Sequence, residues 1–211
     1  MTRCSISAIL ILFIVLTAHA STVESVGERV PMVSEHPDNP TVAAMFDAIR
    51  DRGAKPLNLH RTYAQSPEIF SAYVGLARAL RAQSKVPRQY RELVILRTLQ
   101  LNGGTYELAQ HVPMALTCGL SHEETSEIVN WRTSNVFDAK QRSILGYVDA
   151  MMKGQVDDAT FSYLSQHFDP RDIVDLTLTA AFYAGDARAS AALAIPLDDA
   201  RPASAPQYGA C

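Results

Sequence analysis

Hydrophobic residues recur at intervals of three and four along most of the chain after residue 39. Side chains at this spacing lie on one face of an α-helix, so the pattern predicts a series of amphipathic helices. All but one of these series open on a residue that can cap a helix or on a proline that suits its first turn. The predicted helices begin at Asn39-Pro40, Ser66-Pro67, Pro87, Thr105, Ser121, Phe137, Asp157 and Asp169-Pro170.

The ends of these segments support the same interpretation. Gly119 follows a predicted helix, at the position where glycine is favoured after the last turn. Ser121 and Glu124 stand three residues apart, as in a capping box. No segment alternates with the period of a β-strand. The sequence therefore predicts an all-α fold of about seven to eight helices, in which 66–102 and 104–130 could pack as helical hairpins.

The composition of the chain favours a folded domain and argues against several other classes of protein. The chain has 211 residues, of which 47% are hydrophobic and 19% charged, and its net charge is −3. These values favour one folded domain over a disordered chain. A nucleic-acid-binding protein would show a basic stripe, and the sequence shows none, so we expect no nucleic-acid partner. Three cysteines are too few for a disulfide-dense scaffold or a cysteine-rich zinc module.

The first residues have the features of a secretory signal peptide. Arg3 precedes an apolar run from Ala8 to Leu16, and Thr17-Ala18-His19-Ala20 supplies an A-x-A cleavage site. We therefore expect a secreted or periplasmic protein, with a membrane as partner only if this segment stays uncleaved. The expected organisation is a signal peptide over 1–20, an N-terminal arm over 21–38, a domain over 39–197 and a C-terminal tail over 198–211.

Export would place Cys118 and Cys211 in an oxidising compartment, where the two thiols could form a disulfide. Cys118, however, lies in an apolar, helix-like segment, whereas Cys211 ends a tail rich in proline and alanine. We therefore expect Cys118 to be buried and free.

One stretch of the chain carries candidate catalytic residues. Glu107 and His111 are four residues apart, so they share a helix face. A carboxylate beside an imidazole orients the ring and favours its protonated form, which suits acid/base catalysis near neutral pH. Glu92 stands among apolar residues of the preceding helix, where burial would raise its pKa unless Arg91 or Arg97 pairs with it.

The same residues have other interpretations. Pairs of Glu and His at this spacing are common on solvated helix faces, where they have no catalytic role. Glu92, Glu107 and His111 could also bind a metal ion, but no further histidine stands at ligand spacing nearby, so we expect no metal. His60 falls in a predicted connection between helices and is a weaker candidate for the site.

This stretch resembles the carboxymuconolactone decarboxylase family, which belongs with the alkylhydroperoxidase D-like proteins. The resemblance covers roughly residues 55–195. It rests on Ser66-Pro67-Glu68, on Arg91-Glu92-Leu93, on the glycine turn into Tyr106-Glu107, and on His111, Ala115, Gly119 and Glu123-Glu124. It implies an all-α, alkylhydroperoxidase D-like domain of helical hairpins.

The redox branch of that superfamily carries a Cys-x-x-Cys pair before the histidine. The two cysteine positions correspond to Gly104 and Glu107 here, the upstream glutamate to Glu92 and the histidine to His111. Thiol–disulfide chemistry therefore has no nucleophile at this site.

The decarboxylase branch uses acid/base chemistry and needs no cofactor. By resemblance, His111 would be the proton donor or acceptor, Glu107 would orient it or share its proton, and Glu92 would complete the site. Such a reaction needs a proton and stabilisation of the dienolate that develops, and a protonated imidazole could supply both. Arg91 or Arg97 could anchor a substrate carboxylate, although structural salt bridges are the favoured explanation for both residues.

The resemblance thus implies a decarboxylase or related lyase that acts on a small carboxylated lactone or enol acid, of the kind met in aromatic compound catabolism. Tyr106 could contribute to substrate binding or to packing. The family's usual trimers or hexamers imply a homo-oligomer. The alternatives are an exported small-molecule-binding protein without catalysis and a thiol-independent, peroxide-linked redox protein.

Overall fold

Nine α-helices and one short 3₁₀-helix form the regular structure of the described residues, which are 28–199 and Cys211 of a computed structural model. No β-strand occurs among these residues, so the predicted all-α class is confirmed. The helices are α1 (Pro40–Arg50), α2 (Asn58–Tyr63), α3 (Pro67–Ala82), α4 (Arg88–Asn102), α5 (Thr105–Thr117), α6 (His122–Glu127), α7 (Ala139–Met152), α8 (Asp158–Ser165) and α9 (Pro170–Leu193), with the 3₁₀-helix Ile128–Asn130 after α6.

Helix α2 is the element that the sequence pattern does not predict. It has six residues, which is too short for a hydrophobic period to become visible. The amide of Leu57 donates a hydrogen bond to Nδ1 of His60 at 3.1 Å, so the histidine side chain closes the first turn. His60 therefore lies in a helix and not in a connection.

Capping side chains set several of the predicted helix starts, although Ser66 forms no side-chain cap at the start of α3. Oδ1 of Asn39 accepts hydrogen bonds from two amides of the first turn of α1, at 3.0 and 3.1 Å. Ser121 and Glu124 form the predicted capping box of α6. Helix α5 begins differently, because Thr105 is its first residue and Gly104 holds the cap position without a side-chain bond.

Helix α4 lies at the centre of the domain and packs against α5, α7 and α9. Ten of its fifteen residues are buried, on all sides of the helix. A helix that is surrounded by other helices buries its charged residues together with its apolar ones, so these charges must find partners inside the protein. This position explains why four charged side chains of α4 are buried: Arg88, Arg91, Glu92 and Arg97.

Helix α9 buries one face and exposes another. Ile173 and Leu176 belong to the main core, but Val174 and Leu178 are 54% and 50% exposed. The broad apolar stripe predicted for this helix is therefore only partly covered within one chain.

The described part of the N-terminal arm lies against α2 and the end of α9. Arg29 donates to the carbonyl of Ala192 at 2.8 Å, and the amide of Val33 donates to the carbonyl of Arg61 at 3.0 Å. The predicted signal peptide over 1–20 lies outside the described residues. Among the helices of the described ranges, none combines the length and the apolar character needed to cross a membrane.

Cys118 and Cys211 form a disulfide, which corrects the expectation of a buried free thiol. Cys118 is the C-cap of α5, beyond the buried Met114 and Ala115 of its last turns, and is only half-buried. The bond joins the end of the chain to the helix that carries Glu107 and His111.

Candidate active site

His111 and Glu92 meet across the hairpin formed by α4 and α5. Nδ1 of His111 lies 2.8 Å from Oε2 of Glu92, and both side chains are buried. An ionised carboxylate only accepts hydrogen bonds, so Nδ1 carries the hydrogen and Nε2 is the basic nitrogen of the neutral ring. The imidazole is thus oriented by Glu92 and not by Glu107, which corrects the role expected from the spacing of four.

Arg88 keeps the Glu92 carboxylate ionised. Its Nε donates to Oε1 of Glu92 at 2.6 Å from one helical turn earlier in α4. Burial by itself would raise the pKa of Glu92, but His111 and Arg88 outweigh burial and hold this pKa below its ordinary value. The partner that the sequence predicted for Glu92 therefore exists, but it is Arg88 and neither Arg91 nor Arg97.

A small cavity of about 60 Å³ lies beside His111, between α2, α3, α5 and α9. Leu57, Leu59 and Met114 give it apolar walls. Because Nδ1 of His111 is engaged by Glu92, Nε2 is the ring atom that can meet a molecule in this cavity. The charged and hydrogen-bonding side chains that line it include Arg81, Tyr106, Glu107, Gln110, His111 and Asp186.

Glu107 lines the same cavity, but its carboxylate forms no hydrogen bond within the described residues. The side chain is buried, and neither carboxylate oxygen has a hydrogen-bond partner among the described residues. A Cβ built on Gly104 would lie 3.1 Å from Oε2 of Glu107 and 2.9 Å from the Cβ of Ala187. The carboxyl group of Glu107 therefore lies near α9, on the side of Ala187, the residue that follows Asp186.

Asp186 is a second buried acid at this cavity. Tyr63 donates to its Oδ1 and Tyr73 to its Oδ2, each at 2.9 Å. Burial, and next the charge of Glu107, raise the pKa of Asp186 to about 6. Two tyrosine hydroxyls thus compensate the charge of Asp186, whereas that of Glu107 has no such donors.

Tyr106 connects the cavity to the C-terminal segment. Its hydroxyl donates to the carboxylate of Asp198 and accepts a hydrogen bond from the amide of Leu59 at 3.2 Å. Gln110 donates to the same carboxylate at 3.2 Å. Tyr106 therefore lies at the cavity, as predicted for a substrate-binding residue, but its hydroxyl is already engaged on both sides.

Arg91 and Arg97 lie elsewhere, and both have structural partners. Arg91 donates to three backbone carbonyls at the end of α3 and in the turn that follows, at 2.8 to 2.9 Å. Nε of Arg97 donates to Asp149 of α7 at 2.6 Å. Neither side chain lines the cavity, so we no longer include either arginine in the proposed substrate-binding set.

Sequence reasoning missed Arg88, Arg81 and Asp186. The spacing of Arg88 and Glu92, four residues apart on a buried helix, could have identified the first. An aspartate between apolar residues and alanines of α9 was a signal for Asp186. No feature of the sequence pointed to Arg81, because its position depends on how the end of α3 packs.

Comparisons with known proteins find one matching family model and several structures of the same fold. The model of the carboxymuconolactone decarboxylase family matches residues 67–150, which include α3, α4 and α5. A solved protein of unknown function from Agrobacterium tumefaciens, described as AhpD-like, is 28% identical, with a TM-score of 0.61 over 65% of this chain and 97% of that one. The search of curated proteins gave no match.

Two further structures share the fold at lower identity. A peroxidase-related protein from Silicibacter sp. TM1040 is 23% identical, with a TM-score of 0.69 over 80% of this chain and 90% of that one. The debrominase Bmp8 in complex with 2,3,4-tribromopyrrole is 16% identical, with a TM-score of 0.71 over 83% of this chain and 94% of that one. The family model and the 28% identical structure therefore support a relationship to the carboxymuconolactone decarboxylase and AhpD-like proteins, whose fold this chain shares.

Proposed function

We propose that this chain is a decarboxylase or related lyase that acts without a cofactor on a small carboxylated lactone or enol acid. The observation that carries the proposal is the buried pair of Glu92 and His111, with His111 on the cavity wall. A histidine held by an ionised carboxylate, with one nitrogen free, is suited to take up and return a proton near neutral pH.

In the proposed reaction a carboxylate of the substrate faces the guanidinium of Arg81. The bond between that carboxylate and the substrate carbon breaks, carbon dioxide leaves, and the electron pair moves into the conjugated carbonyl as a dienolate. Nε2 of the protonated His111 then gives its proton to the substrate carbon. The cation stabilises the developing charge before the transfer, while Glu92 retains the hydrogen on Nδ1.

The site lacks the two cysteines that thiol–disulfide chemistry would need. By the resemblance, Gly104 and Glu107 stand where the redox branch has its two cysteines, and a Cβ at Gly104 would lie 2.7 Å from Cδ2 of Leu99. Cys118 is joined to Cys211 and stands beyond the end of α5. We therefore do not extend the peroxidase or debrominase descriptions of the structural neighbours to this chain.

The experiment is release of carbon dioxide from 4-carboxymuconolactone by purified residues 21–211. We expect the wild-type chain to release carbon dioxide and His111→Ala to release none while keeping its helical signal and thermal melting. Exposed His122 supplies the matched control, and His122→Ala should be as active as the wild type. Full activity in His111→Ala would refute the assignment of the acid/base residue. Binding without product would favour the alternative of a small-molecule-binding protein.

We also propose that the chain forms a homo-oligomer, as the resemblance implies. The support is the exposed apolar surface of α8 and α9, where Phe161, Val174 and Leu178 are 46%, 54% and 50% exposed. Light scattering on the purified chain measures the number of copies directly, and a monomer would contradict this proposal.

A further inference from the structure

Glu107 is a buried acceptor that the described part of the protein leaves unsatisfied. Its side chain is 3% exposed, and both carboxylate oxygens lack a hydrogen-bond partner there. A buried polar group without a partner costs free energy, and a carboxylate costs more than a neutral group. Because Glu107 lines the cavity, a molecule in the cavity can provide the missing hydrogen-bond donor.

Four hydrogen-bond donors around the cavity are already engaged by other acceptors. The hydroxyls of Tyr63 and Tyr73 donate to Asp186, and the hydroxyl of Tyr106 donates to Asp198. Nδ1 of His111 is directed to Glu92. None of these four donors bonds to Glu107, so its carboxylate can accept a hydrogen bond from a ligand in the cavity.

Arg81 gives the cavity a cation. It lies at the end of α3, is half-buried, and lines the cavity together with Glu107 and His111. Within the described ranges, no carboxylate forms an ion pair with it. Its backbone carbonyl accepts a hydrogen bond from Arg91 at 2.8 Å, which fixes the end of the helix. A carboxylate is the complementary group for such a guanidinium.

We propose that the ligand of this cavity is a small hydroxycarboxylic acid, in its alcohol or enol form. Its carboxylate meets Arg81, and its hydroxyl donates a hydrogen bond to Glu107. Where this ligand is the substrate, the inference rests on the proposed function and adds a preference for acids that carry a hydroxyl or enol group over those that do not. The hydroxyl donates its single hydrogen to one oxygen of Glu107, and an ammonium, with three hydrogens and a charge, is the competing group that the test separates from it.

Three isosteric acids test this inference. They are 3-hydroxypropanoate, butanoate and β-alanine, which end in a hydroxyl, a methyl and an ammonium group. Chemical-shift titration of the ¹⁵N-labelled chain measures their dissociation constants without any turnover. We expect the hydroxy acid to bind about tenfold more tightly than butanoate, as for one hydrogen bond to a charged acceptor.

Substitutions test whether Glu107 causes the preference for the hydroxy acid over butanoate. In Glu107→Leu the hydroxy acid and butanoate should bind equally, while Glu123→Gln, at an exposed position, should keep the tenfold difference. Arg81→Gln should weaken both acids by the same factor. If Glu107→Leu does not fold, Glu107→Gln keeps the shape of the side chain, and the preference should fall there too.

Equal binding of the two acids to the wild-type chain would overturn the inference, as would tighter binding of β-alanine or a preference that survives in Glu107→Leu. These outcomes are separate from those for the proposed function. Decarboxylation of a lactone without a hydroxyl preference would refute the inference alone. A hydroxyl preference without decarboxylation of any acid would refute the proposed function alone.

Discussion

Glu92 and His111 stand nineteen residues apart in the sequence and 2.8 Å apart in the structure, joined across the hairpin of α4 and α5. Glu92 is fully buried in the central helix, and Arg88 contacts its other oxygen. The charge of this carboxylate is thus compensated on both sides, by one residue of its own helix and by one of the next. Glu92 thus has two roles: it pairs with the buried Arg88 in the core, and it orients His111 at the cavity.

Removal of the Glu92 charge should destabilise the protein. In Glu92→Gln the guanidinium of Arg88 stays buried without a counter-charge, so we expect the free energy of unfolding to fall by about 3 kcal/mol. Urea denaturation followed by circular dichroism measures this, with exposed Glu123→Gln as the control. A loss no larger than that of the control would contradict the account.

The pH dependence of this loss has a definite sign. The pKa of Glu92 lies below its ordinary value of 4.5, so the folded state favours the ionised form. The ionised Glu92 therefore stabilises the folded state above pH 4.5, and this contribution is lost as the pH falls through the lowered pKa of Glu92. The difference between the wild-type chain and Glu92→Gln should therefore shrink in acid.

Asp186 should show the opposite pH dependence. Its pKa is raised from 3.8 to about 6, so the folded state binds a proton more tightly and loses stability as the pH rises between these values. Asp186→Asn removes that cost, and its amide can still accept from one tyrosine and donate to the other. We expect the variant to be more stable than the wild type at pH 8 by on the order of 2 kcal/mol.

Thermal or urea unfolding at a series of pH values measures this effect. The advantage of Asp186→Asn should vanish below pH 3.8, and exposed Asp51→Asn should show no such trend. A difference that is independent of pH would argue against a raised pKa at Asp186.

The disulfide should stabilise the fold through the unfolded chain. It joins residues 93 positions apart, and such a cross-link reduces the entropy of the unfolded state by an amount worth about 4 to 5 kcal/mol. Cys211→Ser should lower the free energy of unfolding accordingly. A reducing agent should lower it equally in the wild-type chain and leave Cys211→Ser unchanged, whereas an effect of reduction on that variant would contradict this origin.

Close packing at Gly104 makes a further prediction. A Cβ there would lie 2.7 Å from Cδ2 of Leu99 and 2.9 Å from the Cβ of Ala187. We expect Gly104→Ala to lower the free energy of unfolding by about 2 kcal/mol. Gly75→Ala is the control, since a Cβ meets nothing within 4 Å there and should stabilise α3 by about 0.5 kcal/mol. Equal effects of the two substitutions would show that α4, α5 and α9 do not meet closely at Gly104.

Much of the fold could be predicted from local sequence, because helix starts such as Asn39 and Ser121 depend on neighbouring residues alone. Helix α2 could not be predicted in this way, since its six residues form fewer than two turns and show no hydrophobic repeat. The buried Glu92 could be suspected from its apolar neighbours, and its link to His111 follows from the packing of a hairpin.

The surroundings of the site depend on contacts between distant helices. Arg81, Tyr73 and Asp186 reach one cavity from α3 and α9, which are separated by more than eighty residues of sequence. The partner of Arg97 is likewise set by the position of α7. Spacing within one helix cannot supply such information, which is why Arg91 and Arg97 were expected at the site and Arg81 was not.

The central claim is that Glu92 acts through His111 in an acid/base decarboxylation. The rate of carbon dioxide release from 4-carboxymuconolactone by the wild-type chain, Glu92→Gln, His111→Ala and the double variant tests it most directly. Each single variant should lose activity by about a hundredfold or more, and the double variant should be no slower than His111→Ala. Losses that multiply in the double variant, or no release by the folded wild-type chain, would contradict the account.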